Sequence, residues 1–561
     1  MDKNKIVIYQ VLPRLWGNRH SRLTHNGTKE QNGVGKFSDF TAKRLSCIRA
    51  LGATHVWYTG ILEHATLTDY SAIGIRRDNA QVVKGNAGSP YAVKDYYDVD
   101  PDLANNPRER MKEFEELVRR THDIGLKVII DLVPNHVARE YHSDAAPAGK
   151  EDFGANDDKG MNFSPANNFY YIGGCRFVSP DQKNAAVPYE EYPAKATGND
   201  CFNASPGRFD WYDTAKLNYG VDILAGRVNH FNPMPDTWQK MYDIMEYWCQ
   251  KGVDGFRCDM SEMVPVNFWH YAIGRLKRSY PCVIFIAEIY NPSVYNAYLN
   301  YGGFDFLYDK VGLYDKLRAV MTGAAPACDI TYTWQVLDDL KPRMLSFMEN
   351  HDEQRIASSF FAGDARKGKP AMIVSALMNV NPVMIYFGQE YGEKGMDDEG
   401  YSRLDGRTSI YDYWSVEKIR KALYNSKNIS EEDRQIFSFY KRLLSDICRE
   451  EAVREGLFYD LTYCNLNMGE SYDSRKLYSF LRRSKNELLL IIANFADEET
   501  HAQINIPEHA FKFLGIQEGM YSCVDLLNTT SDKEHFGCKL SPNCKMDVVV
   551  PALSGCVLKI M

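Results

Sequence analysis

The sequence has no apolar run that approaches the ~18 residues of a membrane-spanning helix. Near the N-terminus only residues 6–12 form an apolar stretch, which is too short for a secretory signal and lacks its small-residue cleavage site. The 13 cysteines include no Cys-x-x-Cys pair, so we expect reduced, mostly buried thiols. These absences predict a cytoplasmic protein, provided that no signal peptide has been removed.

An excess of basic residues is absent too, because Lys and Arg number 66, Asp and Glu number 74, and the net charge is −8. This balance argues against general binding to nucleic acids or to anionic membranes. Hydrophobic residues at 44% and charged residues at 25% exclude a disordered, collagen-like or coiled-coil chain. The 561 residues exceed the ~250–300 at which a single core stops growing, so we expect a large domain with smaller ones.

Amphipathic helices and apolar strands alternate over residues 6–390. For example, Met111, Phe114, Leu117 and Val118 form a helical stripe, and Gly125 ends that helix before an apolar strand. Eight strands are predicted, at 7–12, 54–58, 126–130, 255–258, 283–287, 304–308, 344–348 and 383–387. Eight alternating units predict an α/β fold, a (β/α)8 TIM barrel with its site at the C-terminal strand ends. The alternative is an open doubly wound sheet, but no Gly-x-Gly-x-x-Gly follows the first strand.

Two parts of the chain break this alternation. The long segment after the third strand is rich in Asn, Asp, Gly, Pro and Tyr, and a connection of this length predicts a small inserted domain. Near the C-terminus, short apolar runs separated by turn residues predict an all-β sandwich. We therefore predict a barrel at 1–136 and 237–450, an inserted domain at 137–236, and a C-terminal β-sandwich at 451–561.

Polar residues follow the ends of several predicted strands. The segments are Asp131-Leu-Val-Pro-Asn135-His136, Gly255-Phe-Arg257-Cys-Asp259, Ile286-Ala-Glu288 and Glu349-Asn350-His351-Asp352. A single carboxylate at such a place would more often form a salt bridge or cap a helix. Because a TIM barrel gathers its strand ends at one mouth, we expect these carboxylates, the arginine and the two histidines to converge.

These segments resemble the conserved regions of the α-amylase family, glycoside hydrolase family 13. The family patterns are Asp-x-Val-x-Asn-His, Gly-x-Arg-x-Asp, a strand-end Glu and Asn-His-Asp, and all four occur here in the family's order. In addition, Tyr91-Ala-Val-Lys-Asp95-Tyr96 resembles the Tyr-x-x-x-Asp-Tyr segment, and Lys216-Leu217-Asn218 resembles the short motif of the inserted domain. The resemblance spans residues 6–415, and the C-terminal β module also fits the family's arrangement.

The resemblance implies a retaining α-glycosidase that hydrolyses α-1,4-glucan or malto-oligosaccharides. Asp259 would be the nucleophile, Glu288 the general acid and base, and Asp352 the third carboxylate, which binds sugar hydroxyls. Four further residues would contact the substrate or the nucleophile, namely Tyr91, His136, Arg257 and His351. The implied partner is an oligosaccharide or polysaccharide α-glucan, and neither nucleic acid nor a membrane is expected as a partner.

The chemistry of the residues supports these roles independently. Arg257 lies two positions before Asp259, so both side chains point to the same side of one strand. Its fixed charge should keep Asp259 ionised. Glu288 has no cation adjacent in sequence, so we expect it to keep its proton. One ionised and one protonated carboxyl are what a retaining glycosidase needs.

Neither the metal content nor the reaction type is settled by the resemblance. Asn135 matches the family's calcium-binding asparagine, whereas Met263 replaces a histidine whose carbonyl helps to hold the ion, and Asp213 is a loose candidate. We expect no required cofactor and leave a structural calcium ion open. A transglycosylase or sugar isomerase with the same site, a catalytically dead binding subunit, and a metal-dependent hydrolase using His136 and His351 stay open as alternatives.

Overall fold

The computed structural model describes residues 5–181, 183, 185–395, 400–401, 404–466, 468–528 and 535–561. Eight parallel strands form a closed barrel in which each strand pairs with its neighbours along the chain and the last pairs with the first. They are β1 (Val7–Val11), β2 (His55–Tyr58), β3 (Lys127–Leu132), β4 (Gly255–Cys258), β5 (Ile284–Ala287), β6 (Phe306–Tyr308), β7 (Met344–Phe347) and β8 (Val383–Tyr386). The predicted (β/α)8 barrel is therefore confirmed.

Helices pack around the barrel and connect its strands. They are α1 (Ala42–Ala50), α2 (Arg110–Asp123), α3 (Asp236–Gln250), α4 (Val266–Ser279), α5 (Asp315–Met321), α6 (Ile330–Leu337), α7 (Gly368–Leu377), α8 (Glu417–Tyr424) and α9 (Glu431–Lys441). In α2 the predicted stripe is buried at Phe114, Leu117 and Val118. Gly125 then takes φ +79°, a left-handed conformation that glycine adopts without steric cost, and the chain enters β3.

Shorter elements complete this part of the chain. A π-helical turn at Ala297–Gly302 stands between β5 and β6, where no α-helix forms among the described residues. The short α-helices here are Pro13–Trp16, Lys29–Asn32 and Glu451–Glu455, and two more, Thr462–Asn465 and Glu508–Leu514, lie in the C-terminal part. Within the described residues, no helix combines the length and the apolarity that crossing a bilayer requires.

The long connections after β2 and β3 carry small antiparallel strand pairs. The pairs are Leu62–His64 with Val93–Val99, His136–Ala138 with Thr214–Lys216, Tyr171–Ile172 with Ala194–Lys195, and Val221–Asp222 with Val228–Asn229. Because both connections leave the C-terminal ends of barrel strands, they build the mouth of the barrel on one side. The division into an inserted domain at 137–236 stays a prediction.

The C-terminal part is a two-layered β-structure. Its strands are β9 (Leu457–Asp460), β10 (Leu477–Arg483), β11 (Leu488–Asn494), β12 (Thr500–Ile506), β13 (Gly519–Asp525), β14 (Phe536–Leu540), β15 (Cys544–Val550) and β16 (Ser554–Ile560). Six of them form one sheet in the order β9-β10-β11-β16-β13-β14, and β12 pairs with β15. The apolar run of β11 is buried on both faces, because Leu489 and Ile491 join the core of the barrel while Leu490 and Ile492 join that of the C-terminal part.

Candidate active site

Residues that follow the barrel strands β4, β5 and β7 meet at the mouth of the barrel. Asp259 comes directly after β4, Glu288 comes directly after β5, and His351 and Asp352 follow β7. Arg257 lies within β4 and is fully buried beneath these residues. They converge because the C-terminal ends of all eight parallel strands open onto the same rim.

The guanidinium of Arg257 contacts all three carboxylates. Its Nη1 donates to Asp259 Oδ1 at 2.7 Å, and its Nη2 lies 2.8 Å from Glu288 Oε1 and 4.0 Å from Asp352 Oδ2. Its Nε donates to the hydroxyl of Tyr308 at 3.2 Å, which fixes the plane of the group. One buried cation therefore binds Asp259 and Glu288 side by side.

No cation is adjacent to Glu288 in sequence, but in the structure the Arg257 guanidinium contacts it. In the pairing of β4 with β5, Arg257 lies opposite Ile286, two residues before Glu288, so the guanidinium reaches the carboxylate from the adjacent strand. Two donors complete the environment of Glu288: the Met260 amide donates to Oε2 at 2.8 Å, and the Tyr290 hydroxyl donates to Oε1 at 2.6 Å. The register between two strands fixes this contact, and sequence distance does not reveal it.

The expectation that Arg257 simply keeps Asp259 ionised needs correction. Burial and the nearby charge of Glu288 raise the pKa of Asp259 well above 3.8, and Arg257 only partly opposes this shift. Asp259 therefore holds its proton to higher pH than a solvated aspartate would.

Asp352 has the opposite electrostatic environment. Burial alone would raise the pKa of Asp352, but His351 at 3.1 Å and Arg257 at 4.0 Å lower it well below its ordinary value. Asp352 is therefore the carboxylate of this site that keeps its negative charge most firmly.

His351 is held in place by aromatic and polar contacts. Its ring stacks on Tyr91 with the centroids 5.1 Å apart and the planes 19° from parallel, and its Nε2 lies 2.6 Å from the Tyr91 hydroxyl. That hydroxyl donates to Asp131 Oδ1 at 3.2 Å. On the other side, Gln10 Nε2 lies 2.8 Å from His351 Nδ1. Tyr91 and His351 thus form one wall whose polar edges are anchored in the barrel.

Six of the seven predicted site residues line a single cavity of about 250 Å³. They are Tyr91, His136, Asp259, Glu288, His351 and Asp352. Arg257 is the seventh, and it lies behind the cavity wall with no exposed surface. Burial, with Lys216 and Lys84 nearby, lowers the pKa of His136 to about 3, so its imidazole is neutral at physiological pH.

Several residues of the same cavity were missed by the sequence reasoning. They are Lys84, Ser89, Trp211, Thr214, Met260, Tyr290, Ile410 and Tyr411, and Asp213, which was considered only as a calcium ligand, lines the cavity as well. Lys84 and Asp213 form an ion pair at 2.9 Å, and the Trp211 ring lies 5.2 Å from that of His136. Lys84 comes from the connection after β2, and Asp213 and Trp211 come from the connection after β3. The aromatic content of 13% was the only available signal, and it does not point to particular residues.

The residues suggested for calcium do not fit that ion. The Lys216 ammonium donates to Asn135 Oδ1 and lies 2.8 Å from Asp200 Oδ1, so a lysine uses the oxygen atoms that an ion would need. Asp213 is paired with Lys84. Among the described residues, no group of three or more His, Cys, Asp or Glu side chains is arranged to hold a metal. Calcium prefers six to eight oxygen ligands, and a neighbouring ammonium repels it.

A known protein-family model matches part of the chain. Residues 25–280 match the family model described as the catalytic domain of alpha amylase. This part of the chain is therefore an alpha-amylase catalytic domain of glycoside hydrolase family 13. The protein is a glycoside hydrolase, as its named relatives are.

The relatives of this glycoside hydrolase are distant in sequence. The trehalose-6-phosphate hydrolase of Bacillus subtilis is 22% identical over 90% of this chain and 91% of its own length. Neopullulanase 2 of Thermoactinomyces vulgaris is 22% identical over 90% of this chain and 72% of its own length.

Solved structures agree with the fold along the whole chain. A noncanonic maltogenic alpha-amylase from Thermotoga neapolitana matches with a TM-score of 0.61 at 20% identity, covering 99% of both chains. The alpha-amylase of Geobacillus thermoleovorans, solved with acarbose, matches with a TM-score of 0.63 at 17% identity, covering 100% of this chain and 98% of its own. At such identities the likeness establishes the fold alone.

Proposed function

We propose that this glycoside hydrolase is a retaining α-glycosidase that cleaves α-1,4-linked glucan or malto-oligosaccharides. The observation that carries the proposal is the contact of Asp259 and Glu288 with neighbouring nitrogens of one guanidinium, at 2.7 and 2.8 Å. Retaining enzymes hold their two carboxyls ~5–5.5 Å apart, whereas inverting enzymes leave ~6.5–9.5 Å for a water molecule. A shared cation, and the hydrogen bond from Met260 next to Asp259 to Glu288, support the shorter separation.

In the first step Asp259 attacks the anomeric carbon and forms a glycosyl ester, while Glu288 gives its proton to the leaving glycosidic oxygen. In the second step Glu288 takes a proton from water, which attacks the same carbon and releases Asp259. Two inversions at one carbon give net retention. The contacts of Arg257 support this sequence, because they hold Asp259 and Glu288 side by side at the mouth of the barrel.

Asp352 would stabilise the transition state rather than exchange protons or form a bond. Its charge is held by His351 and Arg257, so it can accept hydrogen bonds from sugar hydroxyls and face the positive charge that develops on the sugar ring. Tyr91 and His351 supply a flat aromatic wall, and neutral His136 supplies a hydrogen-bonding edge. Such a wall suits the apolar face of a glucose unit.

The substrate class rests on the relatives and not on the cavity alone. Those relatives include enzymes named for cyclomaltodextrin and for pullulan, and the Geobacillus structure holds acarbose. Because identities near 22% do not transfer a substrate, the α-1,4-glucan assignment is part of this proposal. A transglycosylase or a sugar isomerase would use the same residues, and the experiment must separate them.

The test is digestion of maltoheptaose, pullulan, cyclodextrin and trehalose in ¹⁸O-labelled water, with the first product anomer followed by proton NMR. We expect cleavage of maltoheptaose, α-configured products and one ¹⁸O atom at each new reducing end. The Asp259→Asn variant is the control for contaminating activity. Longer or rearranged sugars without ¹⁸O would show that the enzyme transfers or isomerises sugars instead of hydrolysing them. First products in the β configuration would overturn the retaining mechanism.

A further inference from the structure

Two cysteine sulfur atoms lie close together far from the active site, in the C-terminal sheet. Cys523 Sγ on β13 and Cys538 Sγ on β14 are 2.9 Å apart. This distance is longer than the ~2.05 Å of a disulfide bond, and it is shorter than an ordinary contact between unbonded sulfur atoms. Both cysteines are free thiols.

The strand pairing explains why these thiols meet. In the antiparallel pair of β13 with β14, Cys523 lies opposite Phe536, and Tyr521 lies opposite Cys538. The two cysteines are therefore diagonal neighbours on the same face of the sheet, within reach of each other's side chains. In the part of the chain that the structure describes, no other two cysteine thiols form a hydrogen bond with each other.

We propose that Cys523 and Cys538 are a redox-active pair that closes to a disulfide by exchange with a low-molecular-weight disulfide such as oxidised glutathione. The Cys538 thiolate first attacks the oxidant, forms a mixed disulfide and releases one thiol. The sulfur of Cys523, after losing its proton to solvent, then attacks Cys538 Sγ and releases the second thiol. Two protein thiols are oxidised to one disulfide, and one small disulfide is reduced to two thiols.

The order of the two steps follows from exposure. Cys538 is partly exposed and open to a solute, whereas Cys523 is completely buried. Burial and the contact with Cys538 raise the pKa of the Cys523 thiol to about 12, so Cys523 is a poor first nucleophile. Its sulfur is nevertheless already placed against the sulfur that it must attack.

A disulfide between Cys523 and Cys538 would hold a strand at the edge of the sheet. β14 is the last strand of the six-stranded sheet and pairs only with β13 among the described strands. An edge strand held by one partner separates more easily than a central strand. A disulfide from β13 to β14 would join the edge strand covalently to the sheet and hold it in its register.

The experiment uses the full chain, fully reduced and then equilibrated with glutathione buffers from reducing to oxidising. We expect intact mass to fall by two hydrogen atoms, one disulfide-linked peptide pair containing Cys523 and Cys538, and a higher midpoint of thermal unfolding. Dithiothreitol should reverse all three changes. Cys556→Ser is the matched control, because Cys556 is buried in the same sheet and should leave the bridge intact.

The variant Cys523→Ser keeps the exposed thiol and removes the buried one. It should accumulate a stable glutathione adduct on Cys538, whereas Cys538→Ser should leave Cys523 unmodified. A bridge between Cys538 and Cys544 instead, or native protein that stays fully reduced while the urea-unfolded chain oxidises, would overturn the proposal. A glutathione adduct on Cys523 in the Cys538→Ser variant would overturn the order of the steps.

Discussion

Arg257 Nη2 lies 2.8 Å from Glu288 Oε1, although the two residues belong to different strands and are far apart in the chain. The same guanidinium binds Asp259, so one positive charge serves two carboxyls. If Asp259 and Glu288 both carry a negative charge, the single positive charge of Arg257 balances only one of them. Burial makes the remaining negative charge unfavourable. The arginine therefore opposes the rise in the pKa of Asp259 that burial and Glu288 cause.

Replacing Arg257 should therefore change the pH dependence as well as the rate. Arg257 lowers the pKa of Asp259, so Arg257→Ala should raise that pKa further and move the acidic limb of kcat/KM to higher pH. We expect a loss of about 10²-fold or more in kcat, because the carboxyls also lose their positions. Arg257→Lys keeps the charge and should move the limb less. An acidic limb that stays in place in both variants would show that Arg257 does not govern Asp259.

The raised pKa of Asp259 also predicts a cost in stability. A carboxyl with a raised pKa in the folded state stabilises the fold below its unfolded value of 3.8, and this contribution is lost as the pH rises through the folded value. A tenfold difference between the acid dissociation constants of the folded and unfolded states corresponds to ~1.4 kcal/mol. Asp259→Asn should therefore unfold at a higher temperature than the parent at neutral pH, by an amount that shrinks towards pH 4.

Asp352→Asn is the matched control, since the pKa of Asp352 is displaced in the opposite direction. Its carboxylate stabilises the fold above the unfolded value and loses this effect only as the pH falls through the lowered folded value. We expect Asp352→Asn to be less stable than the parent at neutral pH. Equal melting temperatures of parent and Asp259→Asn between pH 4 and 8 would show that Asp259 is not electrostatically strained.

The Lys216 contacts predict that chelators have little effect. The ammonium already binds Asn135 and Asp200, so prolonged dialysis against EDTA should change neither the activity nor the melting temperature. Lys216→Met removes the buried ammonium from Asn135 and leaves Asp200 with only Arg227 as a partner, so it should destabilise the fold by about 1–3 kcal/mol. The double variant Lys216→Met with Asp200→Asn should recover part of this loss. A large fall in melting temperature of the parent on chelation, restored by calcium, would contradict this account.

Much of the barrel could be predicted because its strands are short apolar runs at regular intervals. Each predicted strand end lies within two residues of the observed one, as in β3, which was predicted at 126–130 and is observed at Lys127–Leu132. In the C-terminal part, the short apolar runs that predict β-structure include that of β11. β14 was missed because most of its residues are exposed, as befits an edge strand, so it has no apolar run.

The residues of the candidate site likewise divide into those that the sequence predicts and those that it does not. Asp259, Glu288 and Asp352 follow strand ends, and strand ends are local features of a sequence. The ion pair of Lys84 with Asp213 joins two long irregular connections, and nothing in either segment indicates the other. Likewise, the contact between Arg257 and Glu288 depends on the register of β4 against β5, which is set by packing in the barrel.

The most direct test of the double-displacement account is to trap the glycosyl ester on Asp259. In Glu288→Gln, α-glucosyl fluoride needs little protonation to leave, so Asp259 should still be glycosylated, and the ester should accumulate without a base to activate water. Lys and Arg residues between the three carboxylates let trypsin separate them, for example at Arg275, Arg278 and Arg343. Intact-protein mass spectrometry followed by peptide mapping should find one added glucosyl group on the peptide that contains Asp259. A glucosyl group on the peptide that contains residue 288, or on the peptide that contains Asp352, would contradict the account. An unlabelled protein that rapidly releases the inverted anomer would contradict it as well.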